Sequence, residues 1–127
     1  MKSIFVTGGA GFIGSHTCLL LLEKGFTLFI LDSFVTSSKK SLEKVSLILN
    51  EKDIDTKDKI FLVEGDIKKA CDIERVFNMS CELDKRIESV IHFAGLKSVT
   101  DSIKNPKSYW ENNVNGTINL LKIMDKY

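Results

Sequence analysis

The chain has 127 residues, 43% of them hydrophobic and 28% charged, with 18 Lys and Arg set against 17 Asp and Glu. This suits one domain with a core of useful size and excludes a disordered chain. The net charge of +1 gives no electrostatic attraction to nucleic acid or anionic membrane, and one Pro with eight Gly excludes a collagen-like or linker-rich chain.

In chain order, Ser3 to Thr7 is a short β-branched and aromatic run that stops at glycines, which predicts a buried strand. Phe12 to Lys24 predicts a helix, with Ile13, Thr17, Leu20 and Leu21 at helical spacing and Gly25 as its stop. Thr27 to Asp32 predicts a second strand, and Ser33 to Lys40 a polar loop. Ser41 to Asn50 places Leu42, Val45 and Leu49 on one face of a second helix, before a charged loop from Glu51 to Lys59. Lys59 to Glu64 predicts a third strand, closed by Gly65-Asp66. A short helix is expected around Asp72 to Ser80, with Ile73, Val76 and Phe77 inward, and then a fourth strand from Ser89 to Phe93. The last helix is expected to begin near Pro106 and to carry Tyr109, Val114, Thr117, Leu120, Leu121 and Met124 toward the sheet.

Strand and helix alternating in this way predict an α/β fold, a parallel sheet wrapped by helices on both faces. Right-handed crossovers favour a doubly wound, Rossmann-like order 3-2-1-4. The first, third and fourth strands are nearly continuous apolar runs, as expected where both sheet faces are covered.

The strongest local signal is Thr7-Gly8-Gly9-Ala10-Gly11-Phe12-Ile13-Gly14, between a predicted strand and a predicted helix. That context makes the glycines a dinucleotide-binding signature. Gly8 permits the tight turn, Gly11 lets the backbone approach a pyrophosphate, and Gly14 lets the helix lie close on the strand. The N–H groups and dipole at the helix start then face the phosphates. Asp32 ends the second strand, 18 residues after Gly14. A carboxylate here can merely cap a turn, but beside the glycine turn the favoured role is to accept hydrogen bonds from adenosine ribose hydroxyls and repel a 2′-phosphate, which favours NAD over NADP. Lys39 and Lys40 lie nearby, most simply as a solvated helix start. Asp66, after the third strand, either bonds the adenine amino group or caps the next helix.

Cys18, Cys71 and Cys81 are odd in number and include no Cys-x-x-Cys, which predicts reduced thiols without a disulfide framework or zinc site. No metal ligand set is expected. The N-terminus lacks the apolar core of a signal peptide, and no stretch approaches the ~18 apolar residues of a membrane span, so a cytoplasmic protein is expected. His92, inside a predicted strand, reads as a satisfied core histidine, His16 as a surface group and Trp110 as helix packing.

The segments Thr7 to Cys18, Val63-Glu64-Gly65-Asp66-Ile67, Val90 to Val99 and Asn112-Asn113-Val114-Asn115-Gly116-Thr117 closely resemble the UDP-glucose 4-epimerase family of extended short-chain dehydrogenases/reductases. The resemblance spans nearly the whole chain, and Phe93-Ala94-Gly95-Leu96-Lys97 is its most particular part. It implies an NAD cofactor and interconversion of UDP-glucose and UDP-galactose through a 4-keto sugar. It implies that Phe12 and Ile13 line the pyrophosphate turn through their backbone beside Gly8, Gly11 and Gly14. Asp32, Ser33, Phe34, Val35, Thr36 and Ser37 would surround the adenosine ribose, with Ser33 and Thr36 standing where the family often has Asn. Asp66 and Ile67 would flank adenine. Phe93, Ala94, Gly95, Leu96 and Lys97 would run along the cofactor, with Lys97 reaching toward the nicotinamide ribose. Asn113 matches a cofactor-contacting Asn of the family, with a helix-surface amide as the less favoured alternative.

The family base is a Tyr in Tyr-x-x-x-Lys, which this sequence does not contain: Asn113, not Lys, follows four residues after Tyr109, and Tyr127 is the last residue. A truncated cofactor-binding part, residues 1–127, is therefore expected, inactive alone, with no catalytic residue assigned and the sugar-binding domain absent. A non-catalytic NAD-binding module and another sugar-nucleotide epimerase or dehydratase are the alternatives. The fourth strand would lie at an open apolar edge, which predicts a homo-oligomer or edge-mediated association.

Overall fold

A computed structural model describes residues 2–127. Four parallel strands, β1 (Ser3–Thr7), β2 (Thr27–Asp32), β3 (Ile60–Glu64) and β4 (Ile87–His92), form one sheet in the order β3-β2-β1-β4. Helices α1 (Phe12–Glu23), α2 (Lys39–Glu51) and α3 (Ala70–Glu82) connect them, so the predicted Rossmann-like order stands.

Alternation along the central strands builds two cores. Ile4, Val6, Leu28 and Ile30 face α1 and α2, where they meet Cys18, Leu22, Leu42, Val45 and Leu49. Phe5, Phe29, Leu31 and Val63 face the other side, against Ile73, Val76, Phe77, Leu120 and Ile123. The period of two in the strands thus supplies both apolar layers from the same short segments.

Burial follows a strand's place in the sheet and not its apolar content. β1 and β2, in the middle, are buried throughout, whereas β3 and β4, predicted to be covered on both faces, form the edges and are half open. A second correction concerns α1. Its inward residues are Gly14, Ser15, Cys18 and Leu22, while Ile13 and Leu20 are exposed. The helix is apolar nearly all round, so periodicity does not select a face. Close contact at Gly14 does.

After β4, the chain forms α4 (Val99–Lys104), α5 (Pro106–Tyr109), a π-helical segment (Trp110–Asn115) and α6 (Gly116–Met124). Sequence reasoning missed α4, although Ser98 caps it by accepting a hydrogen bond from the Asp101 N–H at 3.2 Å. The single helix predicted from Pro106 is really three pieces. The wider π turn rotates α6 about its axis, so Gly116, Leu120 and Ile123 point inward while Leu121 and Met124, predicted inward, are exposed. Trp110 is also exposed, at 63%, so the helix-packing expectation fails for it.

Candidate functional site

Residues following all four strands meet in one cleft of about 180 Å³ at the carboxyl end of the sheet. Gly8 and Gly11 come from the turn after β1. Asp32, Ser33, Val35, Thr36 and Ser37 come from the end of β2 and its loop. Asp66 and Ile67 follow β3, and Phe93, Ala94, Gly95, Leu96 and Lys97 follow β4. Sequence reasoning missed five lining residues: Leu31, Gly65, Lys68, Ser108 and Asn112. Ser108 and Asn112 reach the cleft because α5 and the π turn fold back over it, and periodicity carries no signal of that.

The glycine turn divides into parts with different reasons. Gly8 has φ of +68°, and a Cβ there would lie 2.7 Å from the Ala94 nitrogen. A Cβ on Gly14 would lie 2.2 Å from the Gly8 oxygen, so α1 approaches the turn only because Gly14 has none. Gly11 differs: its Cβ would meet one atom, the Gly8 oxygen at 3.3 Å, a tight but tolerable contact. Packing alone gives Gly11 little reason to be glycine, and it lines the cleft. Gly11 is also the N-cap of α1. It supplies no side-chain cap, and the first turn carries no acidic residue. The helix therefore presents uncapped N–H groups and the positive end of its dipole, a site suited to an anion. The side chains of Phe12 and Ile13 are exposed, and neither they nor Gly14 line the cleft.

Asp32 is buried, and its carboxylate is already well used. Oδ2 accepts the Ala10 N–H at 2.9 Å, while Oδ1 accepts the Phe34 N–H at 3.0 Å and the Ser37 hydroxyl at 2.7 Å. A carboxylate offers about four acceptor positions, so roughly one remains for a ligand hydroxyl. The Ser37 oxygen, its proton given to Asp32, keeps lone pairs for another. The bond to Phe34 also holds that residue at φ +56°, which turns its ring out of the cleft and onto the core beside α1 and α2. Lys39 sits 5.2 Å from that ring's centre and pairs with Glu64 at 2.8 Å, so its charge is engaged away from Asp32.

Asp66 does not cap α3, whose N-cap is Lys69. Its Oδ1 instead accepts the Lys68 N–H at 2.9 Å, and its own N–H donates to Asp72 Oδ2 at 2.9 Å. Asn113 does not line the cleft. Its side chain clamps the backbone of Leu96: Oδ1 accepts the Leu96 N–H at 2.8 Å and Nδ2 donates to the Leu96 carbonyl at 2.9 Å. His92 is half-buried and bonded at both ring nitrogens, to Thr7 and Thr117, as expected of a satisfied histidine. Burial lowers its pKa from the ordinary 6.5. Burial, and secondarily the Asp32 charge, pushes the Cys18 thiol up to about 12. The cleft thus brings together a buried carboxylate with an acceptor position to spare and a helix start with uncapped N–H groups.

A sequence profile of the family described as GDP-mannose 4,6 dehydratase matches residues 5–127. UDP-glucose 4-epimerase 3 of Oryza sativa subsp. japonica is 46% identical over 125 residues, covering 98% of this chain and 31% of the relative. The solved UDP-glucose 4-epimerase of Bifidobacterium longum, in complex with NAD+ and UDP, superposes with a TM-score of 0.83 at 39% identity, over 98% of this chain and 34% of that one. That of Stenotrophomonas maltophila, with bound NAD and formylated UDP-arabinopyranose, gives 0.82 at 34% identity over the same shares. The chain therefore spans about a third of the length of these relatives. By these matches the chain belongs to the family described as GDP-mannose 4,6 dehydratase, and among its relatives are the UDP-glucose 4-epimerases.

Proposed function

We propose that the cleft binds NAD and that the chain is the cofactor-binding part of a UDP-glucose 4-epimerase. The observation that carries this reading is the pairing of the uncapped α1 start at Gly11 with the buried Asp32 carboxylate across the same cleft. A pyrophosphate suits the first, and one hydroxyl of adenosine ribose suits the second, with the Ser37 oxygen beside it for the other. In this reading Asp66 and Ile67 flank the adenine, while Phe93 to Lys97 support the nicotinamide half. Asn113 acts from outside, by holding Leu96.

When bound, NAD supplies the hydride acceptor and donor for inversion at C4 of a UDP-sugar, UDP-glucose or UDP-galactose. The residues of this chain bind and orient the cofactor. None of the 127 is assigned the proton transfer at the 4-hydroxyl, because no Tyr-x-x-x-Lys is present. Turnover of UDP-galactose by the 127-residue chain would contradict the requirement for a Tyr-x-x-x-Lys pair.

The test is isothermal calorimetry with NAD and NADP. The parent should prefer NAD by about tenfold or more, since the Asp32 carboxylate repels a 2′-phosphate. Asp32→Asn should narrow that preference. Equal affinity for the two dinucleotides, or no heat with either from a chain folded by circular dichroism, counts against the assignment.

A further inference from the structure

His92 ends β4, opposite Thr7 in the β1–β4 register, and its ring lies between Thr7 and Thr117 of α6. The donors and acceptors around it leave one consistent arrangement. The Thr117 hydroxyl lies 2.6 Å from the Asn113 carbonyl and donates its proton there. Its oxygen must then accept from His92 Nε2, 3.1 Å away, so that nitrogen carries the hydrogen. His92 Nδ1 is therefore bare, and it accepts the Thr7 hydroxyl proton at 2.5 Å. Thr7 Oγ1, having given that proton, accepts the Ala94 N–H at 3.2 Å. The bonds run in one direction, from the Ala94 N–H through Thr7, His92 and Thr117 to the Asn113 carbonyl. Asn113 then grips Leu96 with both ends of its amide. Ala94 and Leu96 are two points on the cleft wall.

We infer that His92, as its neutral Nε2–H tautomer, is a positioning residue that fixes the Ala94–Leu96 wall of the cleft, and that adding a proton to Nδ1 releases that wall. A hydrogen on Nδ1 would face the Thr7 oxygen and force the Thr7 proton away from its acceptor. Thr7 is fully buried, so that proton would be left without solvent. The groups facing the two ring nitrogens, Thr7 from β1 and Thr117 from α6, carry no charge and do not titrate. Burial also favours the neutral ring. The relay stands on these contacts alone; its consequence for NAD rests on the function proposed above.

The experiment is a pH titration of the full 127-residue chain followed by imidazole and backbone amide NMR, from about pH 8 to about pH 5. At the upper end the His92 ring should show a protonated Nε2 and a bare Nδ1. On acidification, the Ala94 and Leu96 amides should shift with the same midpoint as the His92 ring. Thr117→Ser should preserve this behaviour, and Thr117→Val should abolish the tautomer preference. The opposite tautomer in the parent, or Ala94 and Leu96 amides that stay still while the ring titrates, overturns the relay. A parallel NAD titration should show affinity falling about tenfold across that midpoint. Absence of NAD binding at every pH would reject the functional reading while leaving the amide result to decide the relay.

Discussion

At the scale of single residues, Asp32 has two duties that its neighbours separate. It holds the glycine turn and its own loop through Ala10, Phe34 and Ser37, and it faces the cleft. Hydrogen bonds to a charged group contribute about 1.5–3 kcal/mol each, and truncation orphans the Ala10 and Phe34 donors. Asp32→Ala should therefore lower stability by about 2–3 kcal/mol in urea melts. A loss within about 0.5 kcal/mol would show that the turn is held elsewhere. Cys18 gives a simpler expectation. Reaction requires the thiolate, and burial keeps this thiol protonated with a pKa of about 12. Thiol labelling of the native chain should modify exposed Cys71 and Cys81 and leave Cys18 intact until unfolding, as read by mass spectrometry. His92 has a lowered pKa in the fold, so the unfolded chain takes up its proton first as pH falls. Its contribution to stability should be complete above its ordinary value of 6.5 and drain away below it.

At the scale of elements, the turn and helix after β1 show what glycine spacing conveys and what it conceals. The motif correctly marks the turn from β1 into α1, but three similar glycines have three different environments. Gly14→Ala should cost about 2–3 kcal/mol, because its Cβ would overlap the Gly8 oxygen. Gly11→Ala should leave stability within about 0.5 kcal/mol and abolish NAD binding, because only the cleft needs that space. Thermal melts paired with calorimetry separate the two. Equal stability losses from both variants would return Gly11 to a packing role. The inward face of α1 was not legible, since an almost wholly apolar helix has no polar side to orient it. The face of α6 was not legible either. The rotation comes from the π turn at Trp110–Asn115, which no residue in that stretch announces.

At the scale of the whole molecule, the order β3-β2-β1-β4 was readable because each strand signal ends at a turn and each helix signal comes after it. Of the cleft, the segments after each strand were readable for the same reason: in a parallel sheet the crevice opens where the strands end. What escaped was contributed from outside those segments, as with Ser108 and Asn112, or acts indirectly, as Asn113 does through Leu96. The sheet also ends on β4, whose outer edge carries unpaired backbone groups beside half-buried Val90 and Ile91. Such an edge recruits partners, so the 127-residue chain should self-associate at micromolar concentration. A monodisperse monomer by light scattering would count against that.

The central claim is that this cleft binds NAD, and chemical-shift mapping tests it most directly. Titrating NAD into isotopically labelled chain should produce saturable shifts in the amides of Gly11 to Gly14, Asp32 to Ser37, Asp66 to Lys68 and Phe93 to Lys97. Saturable shifts confined to other surfaces, or no shifts from a folded chain at millimolar NAD, would contradict it.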